Sequence, residues 1–231
     1  MSAPGPAATD AAQPAAKRGV VLISGSGSNL QAILDASAEW PVRWEAVISN
    51  RPAVHGLTRA ARAGVPAEVI DHRAAGSRDA FEAALAQRLA ALAPDLIVLA
   101  GFMRVLSAPL VERYTGRMLN IHPSLLPAYR GLHTYERALA DGQRWHGTTV
   151  HFVAPEVDGG PSILQARVPV LADDTPATLQ ARVQRQEHVI YPQVVEWFVR
   201  DRLRWHPRGP LLDGVLLETP LMLDEPAGPA A

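Results

Sequence analysis

The sequence predicts a single α/β domain, doubly wound about a mainly parallel sheet in a Rossmann-type, three-layer arrangement. Short apolar runs alternate with segments of helical spacing, the pattern of βα units in a parallel sheet. The early runs are apolar throughout, as in strands buried on both faces. A chain of 231 residues, 48% apolar, suits one domain with a real core.

Residues 1–17 are Ala/Pro-rich at the start, with no basic n-region and no apolar h-region, so a disordered leader is expected and not a signal peptide. Gly19–Ile23 reads as the first strand. Ser24-Gly25-Ser26-Gly27-Ser28-Asn29 follows at once, and Leu30–Ala38 has helical spacing. Trp44–Ser49 is a second strand, His55–Ala63 a helix stopped by Gly64 and Pro66, and Pro66–Ile70 a third strand. Ser77-Arg78-Asp79 caps a helix that runs to Leu92. Leu96–Ala100 is a strand leading into Gly101-Phe102-Met103-Arg104. Met118–His122 is a short strand, and Thr134–Ala140 a brief helix. Gly147–Val153 and Ile163–Val170 form a pair suited to antiparallel pairing across the Asp158-Gly159-Gly160-Pro161 turn. Thr175 caps a long helix to Arg200, with Ala177, Val183, Val189 and Val194 facing the core. Asp213-Gly214 marks a hairpin, and residues 216–231 are expected to be a loose tail.

Composition narrows the chemistry. Net charge is −1, which leaves no electrostatic footprint for nucleic acid or an anionic membrane. No cysteine is present, which excludes a thiol nucleophile and Cys-ligated zinc. Lys17 is the only lysine, so a P-loop or Schiff-base lysine in the core is excluded. No window approaches a membrane span, and a cytoplasmic protein is expected.

The Gly25–Leu30 loop nearly matches a dinucleotide fingerprint. It lacks the third glycine, and the second strand ends in Ser49-Asn50-Arg51 instead of an acid for the ribose. A phosphate monoester fits better, met by backbone N–H groups at a helix start, the Ser28 hydroxyl and Asn29. Asn120 and His122 lie two apart on a strand and so share a face. The His-Pro step that ends this strand puts the pair at a loop mouth. Asp158, in a glycine-bounded turn after the strand bearing His151, can meet them. An amide, an imidazole and a carboxylate together can polarise a carbonyl and move a proton. His146 and His151 are five apart and fall on opposite faces of a strand, so no metal site is expected.

These residues also carry a resemblance. Leu22–Ile33, Leu99–Leu106, Leu119–Pro127, Gly147–Val153 and Asp158–Pro161 resemble, in order, the phosphoribosylglycinamide formyltransferases, over roughly residues 18–215. The resemblance implies a formyltransferase-like fold and direct formyl transfer from 10-formyltetrahydrofolate to the amine of glycinamide ribonucleotide in purine synthesis, without a covalent enzyme intermediate. It implies Asn120, His122 and Asp158 as the catalytic set. Gly27, Ser28, Asn29, Gln184, Arg185, Gln186 and Glu187 would face the ribonucleotide. Arg78, Met103, Arg104, Val105, Leu106 and the loop Ala154-Pro155-Glu156-Val157-Asp158 would line the folate side, together with Asn120. Two departures stand out: Ala128-Tyr129-Arg130-Gly131 replaces a more usual Lys-Tyr-Pro-Gly, and Arg185 occupies a commonly uncharged position. A formyltetrahydrofolate hydrolase or a methionyl-tRNA formyltransferase would share the Asn/His/Asp set. The first would be expected to carry an N-terminal regulatory domain and the second a basic C-terminal domain. A nucleotide-binding module without catalysis is the third alternative. The sequence leaves a homodimer open.

Overall fold

The computed structural model describes residues 16–224. Eleven strands and six helices follow one another as β1 (Lys17–Ile23), α1 (Ser28–Ala36), β2 (Val42–Ser49), α2 (His55–Arg62), β3 (Ala67–Val69), α3 (Arg78–Leu92), β4 (Leu96–Leu99), α4 (Ala108–Arg113), β5 (Met118–His122), α5 (Thr134–Ala140), β6 (Trp145–Phe152), β7 (Ser162–Pro169), α6 (Pro176–Val199), β8 (Leu203–His206), β9 (Gly209–Leu212), β10 (Val215–Leu216) and β11 (Leu221–Asp224). The main sheet has the order β11-β7-β6-β5-β4-β1-β2-β3, and β8 to β10 form a small second sheet.

Alternation along each strand sorts the core into two layers. Val21, Ile23, Val47 and Val98 pack with Leu30, Ile33, Ile190 and Val194 of α1 and α6. Val20, Leu22, Ile48 and Leu99 pack with Phe81, Leu85, Leu89 and Leu110 of α3 and α4 on the other face. Both faces are covered, which is why these strands carry no polar alternation.

The sheet is mostly parallel. The exception is β6, antiparallel to β5 and to β7. Order reverses beside β1, which has β2 on one side and β4 on the other. Such a switch point opens a crevice at the C-terminal strand ends. Ser24 to Gly27 after β1 and Gly101 to Ser107 after β4 both border it, and β5 ends next to them.

Several expectations need correction. β1 begins at Lys17, so the expected leader gives up its last residue; residues 1–15 lie outside the described residues. The expected loose tail contributes β11, which pairs parallel to β7 through Leu221↔Leu164 to Asp224↔Arg167; residues 225–231 lie outside the described residues. On α6, Val183 and Val194 are fully buried, but Ala177 is exposed and Val189 is 52% exposed. Leu179, Ile190, Tyr191 and Val195 take those places, because a helix over 24 residues turns its buried stripe steadily around its axis. The short α4 was not foreseen; Pro109 at its start and only six residues left too little periodicity to read.

Candidate active site

Asn120 and His122 stand on β5 at its C-terminal end, as their spacing requires. The strand is held there from behind. The buried Tyr191 hydroxyl lies 3.0 Å from the carbonyls of both Leu99 and Leu119, so α6 pins β4 and β5 together beside the site.

His122 is 5% exposed, and both ring nitrogens are engaged. Nδ1 lies 3.2 Å from Asp158 Oδ2, and Nε2 lies 2.9 Å from the Tyr129 carbonyl. A carbonyl and a carboxylate only accept, so both face the ring as acceptors. Asp158 reaches it from a turn with φ 49° at the aspartate itself. Gly160 has no room for a Cβ, which would fall 1.8 Å from the Phe152 carbonyl, so glycine alone lets this turn fold onto the end of β6. Gly131 N–H also donates to Asp158 Oδ2 at 2.9 Å, and Arg130 pairs with Glu156. The segment from Pro123 to His133 therefore lies across His122 and Asp158.

That segment is tied down by residues the sequence reading passed over. Thr148 donates to the His122 carbonyl at 3.0 Å and Thr149 to the Ser124 carbonyl at 2.7 Å. Gln165 donates to the Leu126 carbonyl at 2.8 Å. Their signal was polar side chains inside two strands that are otherwise buried. His151, read only as a discounted metal ligand, sits opposite Asn120, its Nε2 3.1 Å from the Asn120 amide nitrogen. Burial pushes its imidazole down to about 4.

The loop after β1 behaves as a helix start without a side-chain cap. Gly27 is the N-cap of α1 at φ 71°, leaving the first N–H groups of the helix for a ligand. A Cβ on Gly27 would lie 2.7 Å from the Gly56 Cα of α2. Arg59 braces the loop from outside, with Nε donating to the Ser26 carbonyl at 2.9 Å. From α6, Gln184 donates to the Ser28 hydroxyl at 2.8 Å, which leaves that hydroxyl its own proton to give. Glu187, 7% exposed, accepts from Asn29 at 2.8 Å, and burial raises its carboxyl above the ordinary range. Arg185 is exposed and Gln186 half-buried; neither makes these contacts, because positions 184 and 187 share the face that meets α1.

On the other side of the crevice, Met103 and Val105 are 60% and 54% exposed while Leu106 is buried. The segment is held internally at alternate points. Met103 N–H donates to Ser24 Oγ at 2.7 Å, and Arg78 donates to the Val105 carbonyl at 3.1 Å. Arg104 lies over the Phe81 ring, 5.7 Å from its centroid. In the loop after β6, Ala154 is half-buried and Pro155, Glu156 and Val157 are exposed. A recess of about 580 Å³ lies elsewhere, among Leu139, Trp145, Leu171 and Asp174, and contains none of the expected site residues. Among the described residues, no three His, Cys, Asp or Glu side chains are placed to hold a metal ion. Nor is any described helix long and apolar enough to cross a membrane.

Known proteins share this chain's sequence and fold. The formyl transferase family model matches residues 17–195. A phosphoribosylglycinamide formyltransferase of Escherichia coli K12 is 52% identical over 197 residues, covering 84% of this chain and 93% of that protein. The chain belongs to the phosphoribosylglycinamide formyltransferase family. Solved structures of the family superpose closely. The enzyme of Coxiella burnetii gives a TM-score of 0.84 at 48% identity, covering 90% of this chain and 99% of the other. Glycinamide ribonucleotide transformylase 1 of Symbiobacterium toebii gives 0.82 at 50% identity, covering 87% and 95%. The formyltransferase fold of these neighbours is the mostly parallel, helix-covered sheet described above.

Proposed function

We propose that the chain transfers a formyl group from 10-formyltetrahydrofolate to the amine of 5-phosphoribosylglycinamide in purine biosynthesis, within a formyltransferase domain spanning residues 18–215. One observation carries the assignment of residues: His122 and Asp158 meet at the C-terminal end of β5, beside the switch-point crevice, with Asn120 two residues back on the same strand. The phosphate belongs at Gly27-Ser28-Asn29, with Gln184 and Glu187 facing the ribonucleotide. The folate belongs between Met103–Leu106 and Ala154–Asp158, with Arg78 and Arg104 at the mouth and its ring edge against the backbone between the fixed points at Met103 and Val105. A cytoplasmic place suits this reading, and the chemistry asks for no metal.

The amine nitrogen attacks the formyl carbon, and a C–N bond forms as the carbonyl oxygen takes negative charge. Asn120 donates to that oxygen. His122 Nε2–H, given to the Tyr129 carbonyl in this structure, is the second donor the oxygen takes over. Asp158 holds the imidazolium at Nδ1 and orders a water that carries the proton from the attacking nitrogen. The bond to the folate nitrogen then breaks, that nitrogen is protonated, and tetrahydrofolate leaves.

The test is tetrahydrofolate release with glycinamide ribonucleotide present or omitted. Release that depends on the ribonucleotide is expected. Equal release without it would mean hydrolysis and overturn the assignment.

A further inference from the structure

We propose that His151 is a positioning residue for Asn120, fixing which edge of the Asn120 amide faces the reacting formyl group. The proposal rests on Asn120 being the residue that meets the formyl oxygen.

The two side chains are cross-strand partners. Asn120 on β5 registers with His151 on β6, which sets them side by side on one face of the sheet. The register between β6 and β7 slips at this point: Val150 pairs with Leu164 but His151 pairs with Ser162, leaving Ile163 as the extra residue of a bulge. Bulges re-aim neighbouring side chains. His151 is 2% exposed.

Its two nitrogens have different fates. Nδ1 lies 2.8 Å from the Phe152 carbonyl, which only accepts, so Nδ1 carries the proton. Burial keeps the ring neutral, so Nε2 carries a lone pair. That lone pair faces Asn120 Nδ2 at 3.1 Å. Asp158 Oδ1, at 3.9 Å from the same nitrogen, is beyond hydrogen-bond range and does not compete.

An amide turned by a half-rotation about its last bond keeps its shape and exchanges its oxygen for its nitrogen, so sterics barely choose between the two. The acceptor at His151 Nε2 does choose. It holds the amide nitrogen on its side, and the second N–H of that nitrogen is left for the site. With the oxygen turned inward, two lone pairs would face each other, and the formyl oxygen would lose a donor. The Phe152 carbonyl that sets the tautomer is the one Gly160 packs against, so a single backbone group fixes both the His151 tautomer and the Asp158 turn.

The test is a double-mutant cycle. His151→Leu and His151→Gln are made in the wild-type chain and in Asn120→Ala, and kcat and KM are measured. His151→Leu is expected to lower kcat by about ten- to a hundredfold, with the KM for the ribonucleotide nearly unchanged. In the Asn120→Ala background it is expected to cost less than about twofold, since the amide it positions is gone. His151→Gln, which offers an acceptor oxygen, should recover much of the loss. Equal losses in both backgrounds would overturn the proposal, because that is how a residue serving only the core behaves. If His151→Leu does not fold, nitrogen NMR of the ring in the wild-type protein decides: the neutral Nδ1–H form supports the proposal, and the Nε2–H form overturns it. Absence of formyl transfer by the wild type would instead defeat the functional reading, and the NMR result would still report on the tautomer.

Discussion

At the level of single residues, four substitutions separate the proposed roles. Asp158→Asn removes the charge that faces His122 Nδ1 but keeps the shape of the turn. Turnover should fall by about 10²–10³ while calorimetric affinity for either substrate stays close to wild type. Combined with His122→Ala, the loss should be much smaller than the product of the single losses, because the two act as a unit. Glu187→Gln tests a conflict between stability and binding. The carboxylate is buried with Asn29 as its hydrogen-bond partner, and burial resists its charge. The amide keeps an acceptor for Asn29 without that penalty, so the melting temperature should rise while ribonucleotide affinity falls. A lower melting temperature would show that the charge is compensated. Gly27→Val should weaken ribonucleotide binding far more than folate binding; equal weakening in calorimetry would place the phosphate elsewhere.

At the level of elements, α6 carries the most. Its Thr175 capping box closes the start, Gln184 and Glu187 reach Ser28 and Asn29, and Tyr191 pins β4 to β5. Thr175→Ala should cost about 1 kcal/mol in urea unfolding and leave kcat unchanged, since the cap lies more than two turns before Gln184. The cap was legible from sequence because capping is local, as was the Ser77 cap of α3. The strands Gly19–Ile23 and Leu96–Leu99 were legible because strands buried on both faces leave continuous apolar runs. Asn120 with His122 was legible because a two-residue spacing has one meaning on a strand. Three things were not. β11 pairs with β7 across more than fifty residues of intervening chain, so its own four residues hold no sign of a partner. The part played by Thr149 and Gln165 depends on register between strands, which a single strand does not encode. The contact between the Tyr129 carbonyl and His122 is made by backbone, and side-chain identity says nothing about it.

For the molecule as a whole, the consequence of buried histidines is acid lability. Burial holds His146 and His151 near 4, below their ordinary 6.5. Between those values the unfolded chain binds protons that the folded chain refuses. Stability therefore rises with pH across that window and is lost as pH falls, by about 1.4 kcal/mol per pH unit for each histidine. Glu187, raised by burial, works in the opposite sense and takes back part of the slope. Urea midpoints at pH 7, 6 and 5 should decline in that order, and more gently in His146→Phe. A midpoint that climbs toward pH 5 would show that neither ring stays neutral in the fold.

Gly56 gives the proposed phosphate site an unmarked outpost. It lies on α2, with its N–H 3.1 Å from the Gly25 carbonyl, and a Cβ there would press on Ile23 Cδ1 at 2.5 Å and on that carbonyl at 3.1 Å. It has no side chain with which to touch a ligand. Anyone sorting natural variants by what contacts substrate would pass Gly56→Ala as harmless, yet it would shift the cradle from behind. Its phenotype should be that of a phosphate-site lesion: a raised KM for the ribonucleotide, unchanged folate affinity, and a cause on a helix that no list of ligand contacts would include.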